Sequence, residues 1–163
     1  IPFNDLLELA RMDSPQYKLL QEDVVLQKVV SDRIARLRTS MTNRGISLIT
    51  HLPKEPVRRE LDARRIGQVV TNLMVNAIRS LDQGGTIEVT VKEDDGRAVV
   101  EIADTGPGIP EAVRARLFEP FLTTRPGGTG LGLAIVRKLV EAHGGNVLLL
   151  PREPVGTIAR VEL

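Results

Sequence analysis

The sequence contains no cysteine and no tryptophan, and its aromatic residues amount to one tyrosine and three phenylalanines in 163 residues. Without thiols there is no disulfide framework, thiolate metal site or cysteine nucleophile. The two histidines, His51 and His143, stand too far apart in sequence for a local metal motif, so zinc and redox chemistry are not expected. Charge of one sign is equally scarce. Lys+Arg 22 against Asp+Glu 21 leave a net charge of +1, without the basic excess of a nucleic-acid-coating chain or the charge excess of a disordered one. No apolar run approaches the roughly 20 residues that cross a bilayer. Ile1-Pro2-Phe3-Asn4-Asp5 has neither the basic nor the apolar region of a signal peptide. The lack of cysteine fits a reducing cytoplasm. At 26% charged and 42% hydrophobic, the chain has the composition and length of one globular domain with a sizeable core.

Periodicity orders this domain. Residues 3–11 read as a short amphipathic helix stopped near Asp13-Ser14-Pro15, because the residue before proline leaves the α region. Leu26, Val29, Val30, Ile34, Leu37 and Met41 share one helical face, followed by Gly45 as a C-cap and a strand over 46–50. A second helix runs from about Asp62, its N-cap, to Leu81, with Ile66, Val69, Val70, Leu73, Ala77, Ile78 and Leu81 inward. Two alternating runs, 86–92 and 97–104, flank the turn signal Asp94-Asp95-Gly96 and predict a hairpin. There follow a short helix over 111–117, an irregular stretch over 119–128, a helix over 130–142 stopped at His143-Gly144-Gly145, and strands over 146–150 and 157–163.

Three motifs carry chemistry. Gln68, Asn72, Asn76 and Arg79 form a polar stripe on the second helix. An amide oxygen can complete an Mg²⁺ shell that phosphates and water begin, and a guanidinium one turn away suits phosphate. Alone, the stripe also describes an ordinary solvated face. In Asp104-Thr105-Gly106-Pro107-Gly108-Ile109 the carboxylate continues the core-facing row Ala98, Val100, Ile102 and so needs a donor. The glycines let a flat ligand approach the main chain, although a plain turn would look similar. Gly127-Gly128-Thr129-Gly130-Leu131-Gly132-Leu133 leads into a helix, where free N–H groups and the dipole attract phosphate. It meets the pattern of neither a Rossmann turn nor a P-loop.

In their order, Asn72-x-x-x-Asn76-Ala77, Asp104-x-Gly106-x-Gly108-Ile109, Phe118-Glu119-Pro120-Phe121, Gly128-x-Gly130-Leu131-Gly132-Leu133 and Gly156-Thr157 resemble the N, G1, F, G2 and final Gly-Thr boxes of sensor histidine kinase ATP-binding domains. The resemblance covers residues 20–163 and extends to the wider group of gyrase, chaperone and mismatch-repair ATPases. It implies a two-layer α/β sandwich of the Bergerat type, a mixed sheet of about five strands backed by three helices, with ATP between the helices and a flexible lid at about 119–130. Residues 1–15 would be the tail of a dimerisation helix and its linker, and residues 16–163 the catalytic domain.

Carried over residue by residue, the resemblance implies that Asp104 accepts the adenine amino group, Asn76 holds Mg²⁺, and Arg79 contacts phosphate where the family often has lysine. Asn72 lines the same phosphate end, where hydrolytic relatives carry a glutamate. Gly106, Gly108 and Ile109 frame the adenine. Gly128, Thr129, Gly130, Leu131, Gly132 and Leu133 cover the phosphates, with Arg125 as a lid cation. Phe118 and Phe121 anchor the lid, and Thr157 reaches the adenine pocket. No phosphate-accepting motif accompanies His51 or His143, so the implied activity is γ-phosphoryl transfer from ATP to a histidine on a dimerisation hairpin that this sequence does not contain. The implied onward partner is the receiver domain of a response regulator. No nucleic acid is expected as partner, and no membrane segment in this sequence. A stand-alone anti-sigma-type serine kinase and a non-catalytic nucleotide-sensing module are the alternatives.

Overall fold

A computed structural model describes residues 2–120 and 131–163. Phe121, Arg125, Gly128, Thr129 and Gly130, and with them most of the expected lid, lie outside the described residues. The elements run α1 (Pro2–Met12), β1 (Glu22–Val25), α2 (Leu26–Asn43), β2 (Ile46–His51), β3 (Arg58–Leu61), α3 (Ala63–Arg79), β4 (Gly85–Asp94), β5 (Arg97–Asp104) and α4 (Glu111–Arg114). A 3₁₀ turn (Ala115–Phe118), α5 (Gly132–Ala142), β6 (Asn146–Pro151) and β7 (Thr157–Glu162) follow.

Five strands form one mixed sheet in the order β2-β4-β5-β7-β6, in which only the β2–β4 pairing is parallel. Alternation sets its two faces. Ile87, Val89, Val91, Val100, Ile102, Ala159 and Val161 point into a core completed by Leu26, Val30 and Ile34 of α2, Ile66, Val69 and Val70 of α3, and Ile135, Val136 and Leu139 of α5. The expected sandwich is therefore present, one sheet with three main helices on one side. The opposite face is polar at its centre. There Arg160 on β7 donates to Asp94, Glu101 and Glu162 at 2.7–2.8 Å.

Two features depart from the periodicity reading. β1 and β3 form a separate antiparallel ribbon, closed by the Leu26 N–H donating to the Val57 carbonyl. At four residues each, they are too short for alternation to register. In addition, α3 ends at Arg79, short of Leu81, because the Ser80 N–H closes the helix on the carbonyls of Asn76 and Ala77.

Candidate functional site

The site grows from α3. Asp62 caps its first turn, Oδ1 accepting from the Arg65 N–H at 3.2 Å, and Oδ2 takes the Leu20 N–H at 2.9 Å. The Asp62 N–H in turn donates to Nε2 of His143 at 3.1 Å, while His143 Nδ1 bonds the Leu139 carbonyl at 2.7 Å. Those two bonds assign the neutral imidazole with its proton on Nδ1. At the other end of α5, Asn72 Nδ2 donates to the Gly132 carbonyl at 3.3 Å. Pinned at both ends, α5 lies antiparallel beside α3, and its first turn meets the polar stripe at Asn72. Asn72 and Asn76 are half-buried and Arg79 is exposed.

The second wall comes from the sheet. Asp104 ends β5, in register between Ile87 of β4 and Thr157 of β7. Both polar side chains are buried, at 7% and 8% exposure. Asp104 Oδ1 accepts the Gly106 N–H at 2.9 Å, which folds the chain sharply after the strand. A Cβ on Gly106 would lie 2.9 Å from Ser80 Oγ, so the turn closes directly onto the end of α3. Gly156, with φ +118°, leads into Thr157 so close to β5 that a Cβ there would sit 1.9 Å from the Asp104 carbonyl oxygen. Only glycine tolerates both the angle and the approach. Gly108, with φ +79°, and Ile109 continue the turn.

The structure thus brings Asn72, Gly132 and the start of α5 together, and separately Asp104, Gly106, Gly156 and Thr157 at the C-terminal end of α3. Neither histidine joins them. His51 ends β2 and pairs with Glu88 on the polar face of the sheet, and His143 is fixed at the Asp62 end of α3, about 25 Å along the helix axis from Arg79. Among the described residues no group of three or more His, Cys, Asp or Glu could hold a metal ion. A lone asparagine oxygen at Asn76 fits an Mg²⁺ that keeps waters and shares phosphate oxygens, and does not fit a protein-only cage.

Sequence reasoning missed a cluster at the start of α3. Glu8 of α1 accepts from Arg65 Nη1 at 2.9 Å and from Gln68 Nε2 at 2.6 Å, and the Arg65 guanidinium lies 5.7 Å from the Tyr17 ring centroid. The signal is in the sequence: Arg65 lies three residues before Gln68, one step further along the same helical face.

A mixed sheet with helices on one face, a buried aspartate at a strand end and a polar helical stripe beneath a second helix define an ATPase-type nucleotide fold. The chain belongs to the histidine kinase-, DNA gyrase B- and HSP90-like ATPase family, whose model matches residues 61–163. Similar proteins include sensor histidine kinases. Sporulation kinase A of Bacillus subtilis is 35% identical over 156 residues, covering 96% of this chain and 26% of that protein. Sensor histidine kinase WalK of the same organism is 33% identical over 94% of this chain and 26% of its own length. The chain spans about a quarter of the length of these relatives. Among solved structures, full-length ShkA in complex with AMPPNP superimposes with a TM-score of 0.88 at 30% identity, over 99% of this chain and 34% of that one. The nucleotide-free catalytic domain of histidine kinase ThkA gives 0.82 at 31% identity, over 89% and 95%. No helix among the described residues is long and apolar enough to cross a membrane.

Proposed function

We propose that this chain is the ATP-binding catalytic part of a sensor histidine kinase, and that it transfers the γ-phosphoryl of ATP to a histidine on a dimerisation hairpin, of which α1 is the tail. The observation that carries this reading is the Asn72–Gly132 contact, which sets the polar stripe beside the first turn of α5. Asp104 would accept the adenine amine, with Thr157 beside it and Gly106, Gly108 and Ile109 along the base. Arg79 and Asn72 would hold phosphate oxygens, as would the amides of Leu131, Gly132 and Leu133. Asn76 would hold Mg²⁺, which when bound neutralises charge on the transferring group.

The chemistry left to these residues is positioning and electrostatics. A neutral imidazole nitrogen attacks the γ-phosphorus in line, and the bond to the β–γ bridging oxygen breaks. ADP leaves with that oxygen, and the imidazole N–H proton passes to solvent. An asparagine amide accepts no proton at neutral pH, so Asn72 serves this nucleophile and does not activate water. ThkA has been solved in complex with the response regulator protein TrrA, over which this chain superimposes with a TM-score of 0.81 at 28% identity. A receiver domain of that kind is accordingly the proposed onward acceptor. Equilibrium titration with ATP and GTP in the presence of Mg²⁺ tests the nucleotide site: ATP should bind and GTP should bind far more weakly, whereas equal affinities would refute the base assignment.

A further inference from the structure

Helices α2 and α3 carry seven basic residues and a single acidic one, Asp32, in a chain whose net charge is only +1. The excess has a focus. Arg64, Gly67 and Thr71 follow steps of three and four along α3, on a face about 100° round the helix from the Asn72 stripe, and Arg33 and Arg36 stand one turn apart on α2. Arg33 reaches across to α3. Its Nη1 donates to Thr71 Oγ1 at 3.4 Å, and its guanidinium lies so close on Gly67 that a Cβ there would come within 2.5 Å of Nε and Nη2. A glycine inside a helix costs stability relative to alanine, and here it opens the slot that the guanidinium fills. Arg58, Arg59 and Arg65, around the start of α3, each meet a carboxylate, whereas Arg33, Arg36 and Arg64 form no ion pair among the described residues. Burial and then the charge of Arg36, with Arg64 adding to them against Asp32, lower the Arg33 pKa from its ordinary value. Half-buried, repelled by its neighbours and holding one long hydrogen bond among the described residues, this guanidinium has most of its five N–H donors unspent.

We propose that Arg33, Arg36 and Arg64 form a docking site for a carboxylate-rich segment of a partner protein, organised around the Arg33 slot and separate from the nucleotide stripe. Charge complementarity argues for this occupant. Planar guanidiniums pair with carboxylates two bonds at a time. Arg36 and Arg64 are exposed, so the groove is too open to enclose a small ion, and binding strength must come from several carboxylates presented together. Nucleic acid and membranes fit less well. Neither helix carries an aromatic side chain for base stacking. The exposed large apolar residues among those described, Leu6, Leu7, Leu20, Ile49 and Val155, all lie outside α2 and α3, which leaves no anchor for a lipid surface.

The site is independent of the ATP reading and is tested on the 163-residue chain with a fluorescein-labelled hexaglutamate peptide, read by fluorescence anisotropy. Wild type should bind the peptide at low ionic strength and lose affinity steeply as salt rises. Gly67→Ala is the deciding variant, because it keeps every charge and gains helix propensity while its Cβ displaces the Arg33 guanidinium. Its melting temperature should hold or rise, and its peptide affinity should fall about 3- to 10-fold. Arg33→Gln should weaken the peptide at least as much. Arg38→Gln, which removes the same charge about 140° round α2 from Arg33, should leave it unchanged. Equal affinities of wild type and Gly67→Ala, or equal losses in Arg33→Gln and Arg38→Gln, would show diffuse attraction without a built site and overturn the proposal, as would failure of wild type to bind. Inorganic phosphate at matched ionic strength, or a duplex DNA, that binds more tightly than the peptide and is weakened by Gly67→Ala would give the slot a different ligand and overturn it too. The Hε–Nε resonance of Arg33 reads the wild-type chain directly: the peptide should shift it, and binding that leaves it unmoved contradicts the site.

Discussion

The imidazole of His143 at the end of α5 accepts the backbone N–H of Asp62 at the start of α3, across 81 residues of sequence at 3.1 Å. This bond fixes which stretch of the stripe faces the first turn of α5. Its other consequence is that both ring nitrogens of His143 are engaged in structural hydrogen bonds and the side chain stands away from the cleft.

His143→Ala should therefore cost stability without removing chemistry. Leaving the Asp62 N–H without its acceptor should lower unfolding free energy by about 1–3 kcal/mol, read from urea denaturation. Phosphoryl transfer to a supplied hairpin should persist in the folded fraction. Loss of transfer at unchanged stability would contradict the structural role.

Asp104→Ala should weaken ATP by roughly 10- to 100-fold, the equivalent of one charge-assisted hydrogen bond, and should narrow the preference over GTP. The side chain is buried between β4 and β7, so circular dichroism must accompany the titration. A folded variant with wild-type affinity would contradict the assignment.

Gly156 and Gly96 make a matched pair. Both have positive φ, +118° and +79°, but a Cβ on Gly156 meets the Asp104 carbonyl whereas one on Gly96 meets nothing within 4 Å. Gly96→Ala should cost about 1 kcal/mol, and Gly156→Ala more than about 3 kcal/mol because the backbones of β5 and β7 must part. Thermal melts of equal severity would show that the close approach is not what demands glycine.

On the polar sheet face, the hydrogen bond from Arg160 holds the Asp94 carboxyl below the usual carboxylate range, and the three carboxylates, Asp94 foremost, raise the guanidinium above its ordinary value. A depressed carboxylate contributes stability that is present above its unfolded pKa, near 4, and is lost as pH falls below it. Arg160→Gln should lower Tm by roughly 2–6 °C at pH 7, solvent screening keeping the effect modest. The gap to wild type should shrink as pH drops from 4 towards 2. A gap independent of pH would mean that Arg160 acts through packing.

Residue pattern made much of this legible. The N-cap at Asp62, the inward row ending at Asp104 and the hairpin between Lys92 and Arg97 follow from short-range rules of spacing and capping, and the structure shows all three. Pairings between distant segments were not legible. The β1–β3 ribbon joins four-residue strands whose paired residues lie 33 to 39 positions apart, Glu22 with Leu61 at its outer end closing to Val25 with Arg58. The Glu8 clasp and the His143–Asp62 bond likewise depend on tertiary placement, and the Ala-His-Gly-Gly stretch reads as a helix stop whether or not its imidazole has a partner. Arg65 was hidden for a simpler reason: its role as first-turn residue after the N-cap masked its membership of the stripe.

Incubation of this chain with γ-labelled ATP and Mg²⁺, alone and with a purified histidine-bearing hairpin, tests the kinase reading most directly. The account predicts slow phosphate release and no self-labelling by the chain alone, and transfer of label to the hairpin histidine, with His51→Ala and His143→Ala both competent. Rapid phosphate release by the chain alone, or self-labelling abolished by either histidine substitution, would contradict it.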